Sequence, residues 1–97
     1  MRDKMRPKFI YKIFRSSEWL AFQESGVFTG SADDIRDGFI HLSRAHQLQG
    51  TLDKHYAGLG DIVLAEVEAA ALGAALKYEA SRGGEDFPHL YGALFID

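Results

Sequence analysis

A single histidine inside an apolar run, residues 37–43, constrains the fold more than any other feature of the sequence. The run reads Asp-Gly-Phe-Ile-His-Leu-Ser, and its apolar residues are typical of a buried strand. Gly38 favours a turn before the strand, and Ser43 favours the start of a helix after it. Because side chains alternate along a strand, Phe39, His41 and Ser43 share one face. We therefore expect the imidazole and the hydroxyl to point the same way at the strand's carboxyl end, where α/β layers often bind ligands.

Strand-like and helix-like patterns alternate along the rest of the chain. Aromatic and β-branched residues predict further strands, which cover residues 9–14, 61–67, 74–79 and 93–96. Capping serines and terminal glycines predict helical segments, which cover residues 16–24, 31–34 and 44–56. Residues 81–92 contain a glycine pair and a proline, and are predicted to form a loop. The pattern as a whole predicts an α+β domain with helices packed on a largely antiparallel sheet.

Composition and charge narrow the class of protein. Ninety-seven residues, 46% hydrophobic and 26% charged, suit a single domain, expected over residues 9–97 behind a flexible basic tail, residues 1–8. The net charge of -3 argues against a nucleic-acid partner, because phosphate binding needs clustered Lys and Arg. No stretch has the length of a membrane span or the pattern of a signal peptide, so we expect a cytoplasmic protein without membrane contact. The absence of cysteine excludes disulfides, thiolate catalysis and cysteine-ligated zinc.

His41 has more than one possible role. It fits a core histidine that bonds a backbone carbonyl, and it fits equally well a residue that contacts a ligand. Together with Ser43 it also admits a histidine-dependent hydrolase, which requires His41 Nε2 to touch Ser43 Oγ. No G-x-S-x-G motif supports that third interpretation.

Two later segments add candidates for a site. Residues 79–84 bring Glu79 and Arg82 next to a glycine pair, an arrangement that fits either phosphate recognition by the guanidinium or a surface ion pair. Residues 87–92 combine two aromatics and a proline with His89. Such a segment either folds back into the core or lines a pocket, and we interpret it as pocket lining.

The tyrosines and the remaining histidines complete the candidates. Tyr56 and Tyr91 each offer a stacking face and a hydroxyl, which suits a ligand as well as the edge of a core. His46 and His55 lie nine positions apart on a predicted helix, off a common face, and no H-E-x-x-H spacing occurs. We therefore expect them at the surface and expect no metal site.

Several blocks of sequence form a combined pattern that spans about residues 9–94. The blocks are Tyr11-Lys12-Ile13 with Trp19, Gly30-Ser31 with Asp34, the run 37–43 with Gln47, Leu64 with Val67, and Tyr78-Glu79 followed by Arg82-Gly83-Gly84 and Phe87-Pro88-His89-Leu90-Tyr91-Gly92. Together they resemble a small bacterial family, the domain of unknown function 952.

That family is grouped with the ADP-ribosyltransferase-like proteins, which hold NAD in a cleft between two small sheets. The resemblance therefore implies split antiparallel sheets with two or three packed helices. It also implies that His41 and Ser43 hydrogen-bond the NAD ribose. An aromatic residue that stacks on nicotinamide is implied as well, and Tyr56 and Tyr91 both remain candidates for it.

Many members of the fold group add a glutamate on a late strand that orients the ribose and stabilises the transition state. The resemblance leaves two candidates for this role, Glu79 and, in its place, His89. Members of the family usually continue beyond the position of Asp97, so a further terminal strand is expected to be missing from this chain.

The resulting hypothesis is an ADP-ribosyltransferase-like protein that binds NAD or a related nucleotide in one cleft. The expected lining is His41, Ser43, Tyr56, Glu79, Arg82, His89 and Tyr91, with Arg82 near phosphate. If the protein is an enzyme, it is an NAD-dependent ADP-ribosyltransferase or glycohydrolase. The alternative is a non-catalytic small-molecule binding or interaction module that has lost the transferase chemistry.

Overall fold

The computed structural model describes residues 7–96, except for the side chain of Arg82. Its strands are β1 (Phe9–Arg15), β2 (Val27–Phe28), β3 (Ile40–His41), β4 (Ile62–Glu68), β5 (Leu76–Ala80), β6 (Asp86–Leu90) and β7 (Leu94–Phe95). Its α-helices are α1 (Ser16–Ser25), α2 (Ala32–Asp37) and α3 (Leu48–His55). Short 3-10 helices cover Ala45–Gln47, Ala69–Ala75 and Arg82–Gly84. The predicted α+β class is confirmed.

Most of the predicted tail lies outside the described residues, as does Asp97. Lys8, at the end of that tail, is described, and its carbonyl accepts a hydrogen bond from Ala69 N at 2.9 Å.

Three small sheets form the framework, and each described strand pairing is antiparallel. β1 pairs with β4 along its whole length, β2 pairs with β7, and β6 lies between β3 and β5. A two-bond bridge joins the first sheet to the third: Tyr11 N donates to Ser43 O at 2.8 Å, and Ser43 N donates to Tyr11 O at 2.9 Å. The bridge sets the segment that follows β3 beside the middle of β1.

Phe14 is at the centre of the core. It is fully buried, and its ring centroid lies 5.3 Å from that of Trp19, 5.6 Å from Phe22 and 4.9 Å from Phe28. Rings at these separations stabilise one another beyond the area that they bury. Aliphatic residues of β1, β3, β6 and β7, and of the segment that follows β3, complete the core, among them Ile10, Ile40, Leu42, Leu90 and Leu94.

A capping box and a left-handed turn delimit α2. Ser31 Oγ accepts from Asp34 N at 3.2 Å, and Asp34 Oδ2 accepts from Ser31 N at 2.9 Å. At the other end Gly38 adopts φ 89°, and its N–H donates to Asp34 O at 2.8 Å. Only glycine adopts this backbone conformation readily, so the chain can turn here directly into β3. The predicted capped turn is thus a helix whose last residue, Asp37, lies close to His41.

The predicted loop over residues 81–92 is wrong in its second half. β6 occupies this stretch and is the central strand of its sheet. Proline is rare in central strands because it donates no hydrogen bond. Here the carbonyl of Pro88 accepts from Leu42 N at 3.0 Å. The missing N–H falls where the pairing between β3 and β6 ends, so the sheet tolerates the proline.

Replacing Phe14 by alanine is expected to lower the free energy of unfolding by about 3–5 kcal/mol, because the core loses a fully buried ring and cannot collapse around the cavity. Urea denaturation followed by circular dichroism measures the change. Phe95→Ala is the matched control, since Phe95 is 70% exposed and its loss should cost less than about 0.5 kcal/mol. Equal losses in the two variants would contradict this placement of the core.

Candidate functional site

A cleft of about 450 Å³ opens between β1, α2, α3 and the three-stranded sheet. Its size falls within the range of small-molecule sites. Four of the residues expected at a site lie in its wall: His41, Ser43, Tyr56 and His89. They come from β3, the bridge that follows β3, the end of α3, and β6. The three-stranded sheet thus brings together His41 and His89, which are nearly fifty positions apart in sequence.

A buried ion pair lies at the base of the cleft. Lys12 and Asp34 are 3% and 2% exposed, and Lys12 Nζ lies 3.0 Å from Asp34 Oδ2. The ammonium also donates to the carbonyl oxygen of His41 at 3.1 Å. A charge taken out of water needs a partner and further hydrogen bonds, and both are present here. The pair therefore ties β1, α2 and β3 together.

Asp34 holds His41 from two directions. Its Oδ1 accepts from the backbone N of His41 at 3.1 Å and lies 2.7 Å from His41 Nδ1. Burial alone would raise the pKa of Asp34, but the hydrogen bond from His41, the charge of Lys12 and the N–H groups of Ser31 and His41 outweigh it. The pKa of Asp34 consequently lies well below its usual range, and the carboxylate stays ionised.

His41 is a residue of the cleft and not a core histidine. Its side chain is 39% exposed, and Nε2 lies 2.9 Å from Oδ2 of Asp37. Asp37 is itself held by Arg36, whose Nε donates to Oδ1 at 3.0 Å and whose Nη2 donates to Oδ2 at 3.3 Å. The hydrogen bond from Arg36 lowers the pKa of Asp37. Carboxylates at both ring nitrogens therefore fix the orientation of the imidazole.

His89 lies directly opposite His41 in the sheet, with ring centroids 5.8 Å apart. It is nearly buried, and its Nδ1 lies 2.7 Å from Glu79 Oε1. Tyr91 OH donates to the same oxygen at 2.8 Å. These hydrogen bonds, that from His89 first, lower the pKa of Glu79. Glu79 and Tyr91 stand outside the cleft wall, so Glu79 is placed to orient His89 and not to contact a ligand directly.

Phe39 packs against both histidines. Its ring is stacked on that of His89, with centroids 3.9 Å apart and planes at 22°, and its centroid lies 4.7 Å from that of His41. A rigid aromatic ring between two imidazoles limits the rotation of each. The predicted common face of Phe39 and His41 is consistent with this packing.

Ser43 does not form a hydrolase pair with His41. Ser43 Oγ lies 3.4 Å from Thr51 Oγ1, whereas both ring nitrogens of His41 face carboxylates. A serine nucleophile needs the histidine as its base. The hydrolase interpretation is therefore wrong.

The wall of the cleft around Tyr56 contains aromatic, basic and acidic side chains, the last from Glu18. Tyr56 is half-buried, which raises the pKa of its hydroxyl, and it donates to Ile13 O at 3.5 Å. The guanidinium carbon of Arg15 lies 5.9 Å from the Tyr56 ring centroid. Lys54 lines the cleft as well. The side chain of Arg82, expected near phosphate, lies outside the described part of the structure.

Three residues of the site were not among the predicted ones: Lys12, Asp34 and Asp37. Lys12 carried a signal, because in a strand it shares the face of Ile10 and Phe14 and so falls at a core position. A lysine at such a position needs a buried carboxylate as its partner, and in the structure Asp34 is that partner. The proximity of Asp37 to His41 depends on the turn at Gly38 and has no sequence signal of its own.

Across residues 7–96 no group of three or more histidine and acidic side chains is arranged to hold a metal ion. Within the same range no helix combines the length and the apolar character of a membrane span.

Asp34→Asn is expected to lower the free energy of unfolding by about 3–5 kcal/mol at neutral pH, because it leaves the Lys12 ammonium buried without its counter-charge. Chemical denaturation at pH 7 tests this. Asp53→Asn makes the same change of charge at an exposed position of α3 and should leave stability within about 0.5 kcal/mol of the unsubstituted protein. An Asp34→Asn variant as stable as the control would contradict the role of the ion pair.

The same carboxylate makes a pH-dependent contribution to stability. Its pKa is lower in the folded than in the unfolded chain, so its stabilisation is complete above the unfolded value, about 3.9, and is lost as pH falls below it. The stability difference between Asp34→Asn and the unsubstituted protein should therefore become smaller as pH falls from 5 to 2. Urea denaturation midpoints, measured for both proteins at pH intervals of ~0.5 unit, test this. A stability difference that stays constant over this pH range would contradict a lowered pKa of Asp34 in the folded chain.

Solved structures of one bacterial protein are similar to this chain. The crystal structure of protein CC0527 from Caulobacter crescentus is 52% identical, with a TM-score of 0.88, and the match covers 91% of this chain and 77% of that one. A double mutant of CC0527 gives 51% identity and a TM-score of 0.87 over the same shares. The solution NMR structure of CC0527 gives 52% identity and a TM-score of 0.81, over 92% of this chain and 77% of that one.

Among curated proteins none is significantly similar to this chain. A family model does match it, over residues 13–97, and the predicted membership is confirmed. The chain belongs to the family described as protein of unknown function, DUF952.

Proposed function

We propose that this chain is a bacterial ADP-ribosyltransferase-like protein that binds NAD or a related nucleotide in the cleft at His41. The observation that carries the proposal is the position of His41 and Ser43 in one wall of a cleft of about 450 Å³ that Tyr56 also lines. Such a cleft offers polar groups for a sugar and an aromatic face for a base or nicotinamide ring. The fixed imidazole supports the proposal, since a preorganised group binds at a lower entropic cost.

Two cationic side chains at one end of the cleft, which outnumber the single carboxylate of Glu18 there, support a ligand that is polar at one end and anionic at the other. His41 and Asp37 lie on the α2 side of the cleft, whereas Arg15, Lys54 and the Tyr56 ring lie toward α3 and the end of β1. Guanidinium and ammonium groups suit phosphate oxygens. In this arrangement the ribose lies at His41 and the diphosphate lies toward Arg15 and Lys54.

In the catalytic form of the proposal the protein breaks the bond between the nicotinamide nitrogen and the ribose. The bonding electrons leave with the nicotinamide, and a water or an acceptor nucleophile adds to the ribose carbon and releases a proton. Carboxylates near the ribose favour the positive charge that develops there. His89, oriented by Glu79, lies in the same wall as His41 and is the second candidate for contact with the ligand.

The alternative function is a binding or interaction module without transferase chemistry. The position of Glu79 favours this alternative, because its carboxylate oxygen accepts from His89 and Tyr91 and the residue does not line the cleft. The two functions share the same ligand site and differ in the fate of the ligand. Nicotinamide release from bound NAD distinguishes them: release indicates the enzyme, and binding without release indicates the module.

His41→Ala is expected to weaken NAD and ADP-ribose binding by up to about tenfold, because it removes the imidazole from the cleft wall and releases Asp37 from it, and one hydrogen bond accounts for ~0.5–1.5 kcal/mol. Calorimetric titration measures this, after circular dichroism has verified that the variant folds. His46→Ala is the matched control, because His46 is exposed and contacts Glu85 away from the cleft wall. The nucleotide proposal fails if the unsubstituted protein shows no saturable binding at millimolar ligand, or if both variants bind equally well.

A further inference from the structure

Asp37 lines the cleft and has unused hydrogen-bonding capacity. Its Oδ1 accepts from Arg36 Nε, and its Oδ2 accepts from Arg36 Nη2 and lies beside His41 Nε2. A carboxylate has about four acceptor positions, so three contacts leave room for one more, on Oδ1. The side chain is 33% exposed and belongs to the cleft wall, so a ligand can reach it.

The other carboxylates near His41 and His89 are not available in this way. Asp34 is 2% exposed, and its two oxygens already accept from Ser31, Lys12 and His41. Glu79 does not line the cleft. Of the three carboxylates in contact with these histidines, Asp37 is the one that both touches His41 and is accessible from the cleft.

An ionised carboxylate accepts hydrogen bonds and donates none. The hydrogen bond from Arg36 lowers the pKa of Asp37, so the group is ionised at neutral pH. It therefore favours a ligand group that donates, such as a hydroxyl, over a phosphate oxygen, which at neutral pH only accepts. The Nε2 atom of His41 is already paired with Oδ2, so the free position on Oδ1 is the one that a ligand hydroxyl would take.

We propose that Asp37 is a ligand-binding residue that accepts hydrogen bonds from the free hydroxyls of a ribose held at His41. Through this contact the site selects ribosylated nucleotides such as ADP-ribose over nucleotides that end in phosphate. The assignment rests on the function proposed above and adds to it a specificity determinant. It also fixes the orientation of the ligand, with the terminal ribose at Asp37 and the diphosphate away from it.

The test is calorimetric titration of ADP-ribose and of ADP into the unsubstituted protein, Asp37→Asn and Asp53→Asn. ADP lacks the terminal ribose and ends in phosphate. The unsubstituted protein is expected to bind ADP-ribose at least about tenfold more tightly than ADP, and Asp37→Asn should lose most of that preference, because a charge-assisted hydrogen bond accounts for such a factor. Asp53→Asn makes the same change of charge outside the cleft and should bind as the unsubstituted protein does.

The conservative variant Asp37→Glu separates a binding role from a structural one, because it keeps the charge and should restore part of the preference for ADP-ribose. Circular dichroism and urea midpoints establish that each variant is folded. If ADP-ribose binds to the unsubstituted protein and Asp37→Asn binds it equally well, the assignment of Asp37 is overturned and the nucleotide site stands. If the unsubstituted protein binds neither ADP-ribose nor NAD, the function proposed above fails and the assignment fails with it.

Discussion

The buried ion pair between Lys12 and Asp34 is the interaction on which the site depends. One ammonium and one carboxylate connect the first strand, a short capped helix and the strand that carries His41. Neither charge could remain in the interior alone, so folding forces these three elements into one arrangement. A well-packed apolar pair could match its stability, but it would not hold the imidazole of His41. The ion pair thus links stability to the geometry of the cleft.

Around that pair the site repeats one motif on neighbouring strands. His41 is held by Asp34, and His89, directly opposite it in the sheet, is held by Glu79. The two assemblies differ in access, because His41 is exposed to the cleft whereas His89 is nearly buried under Phe39. A ligand in the cleft would therefore meet the first imidazole more readily than the second.

Local patterns predicted most of the framework, because each predicted element combines a hydrophobic period with a cap or a turn residue. Ser31 at the start of α2 and Gly26 at the end of α1 are examples of such signals. β6 lacked them: Pro88 indicates a loop by composition, and its place in the sheet depends on where β3 ends, which is a tertiary property. Of the residues predicted for the site, His41, Ser43, Tyr56 and His89 line the cleft. The sequence did not predict Asp37, since no local pattern shows which side chains meet across a turn. Glu79 was predicted to line the cleft, but the fold places it outside the cleft wall.

The paired burial of Lys12 and Asp34 also limits how this family can diverge. A substitution at either position alone leaves an unpaired charge in the core, so the two positions are expected to change together or not at all. A relative with apolar residues at both would still fold, but it would lack the support that orients His41. These two positions are therefore expected to act as a marker within the family: a chain that keeps both can orient His41 in this way, and a chain that has lost both cannot.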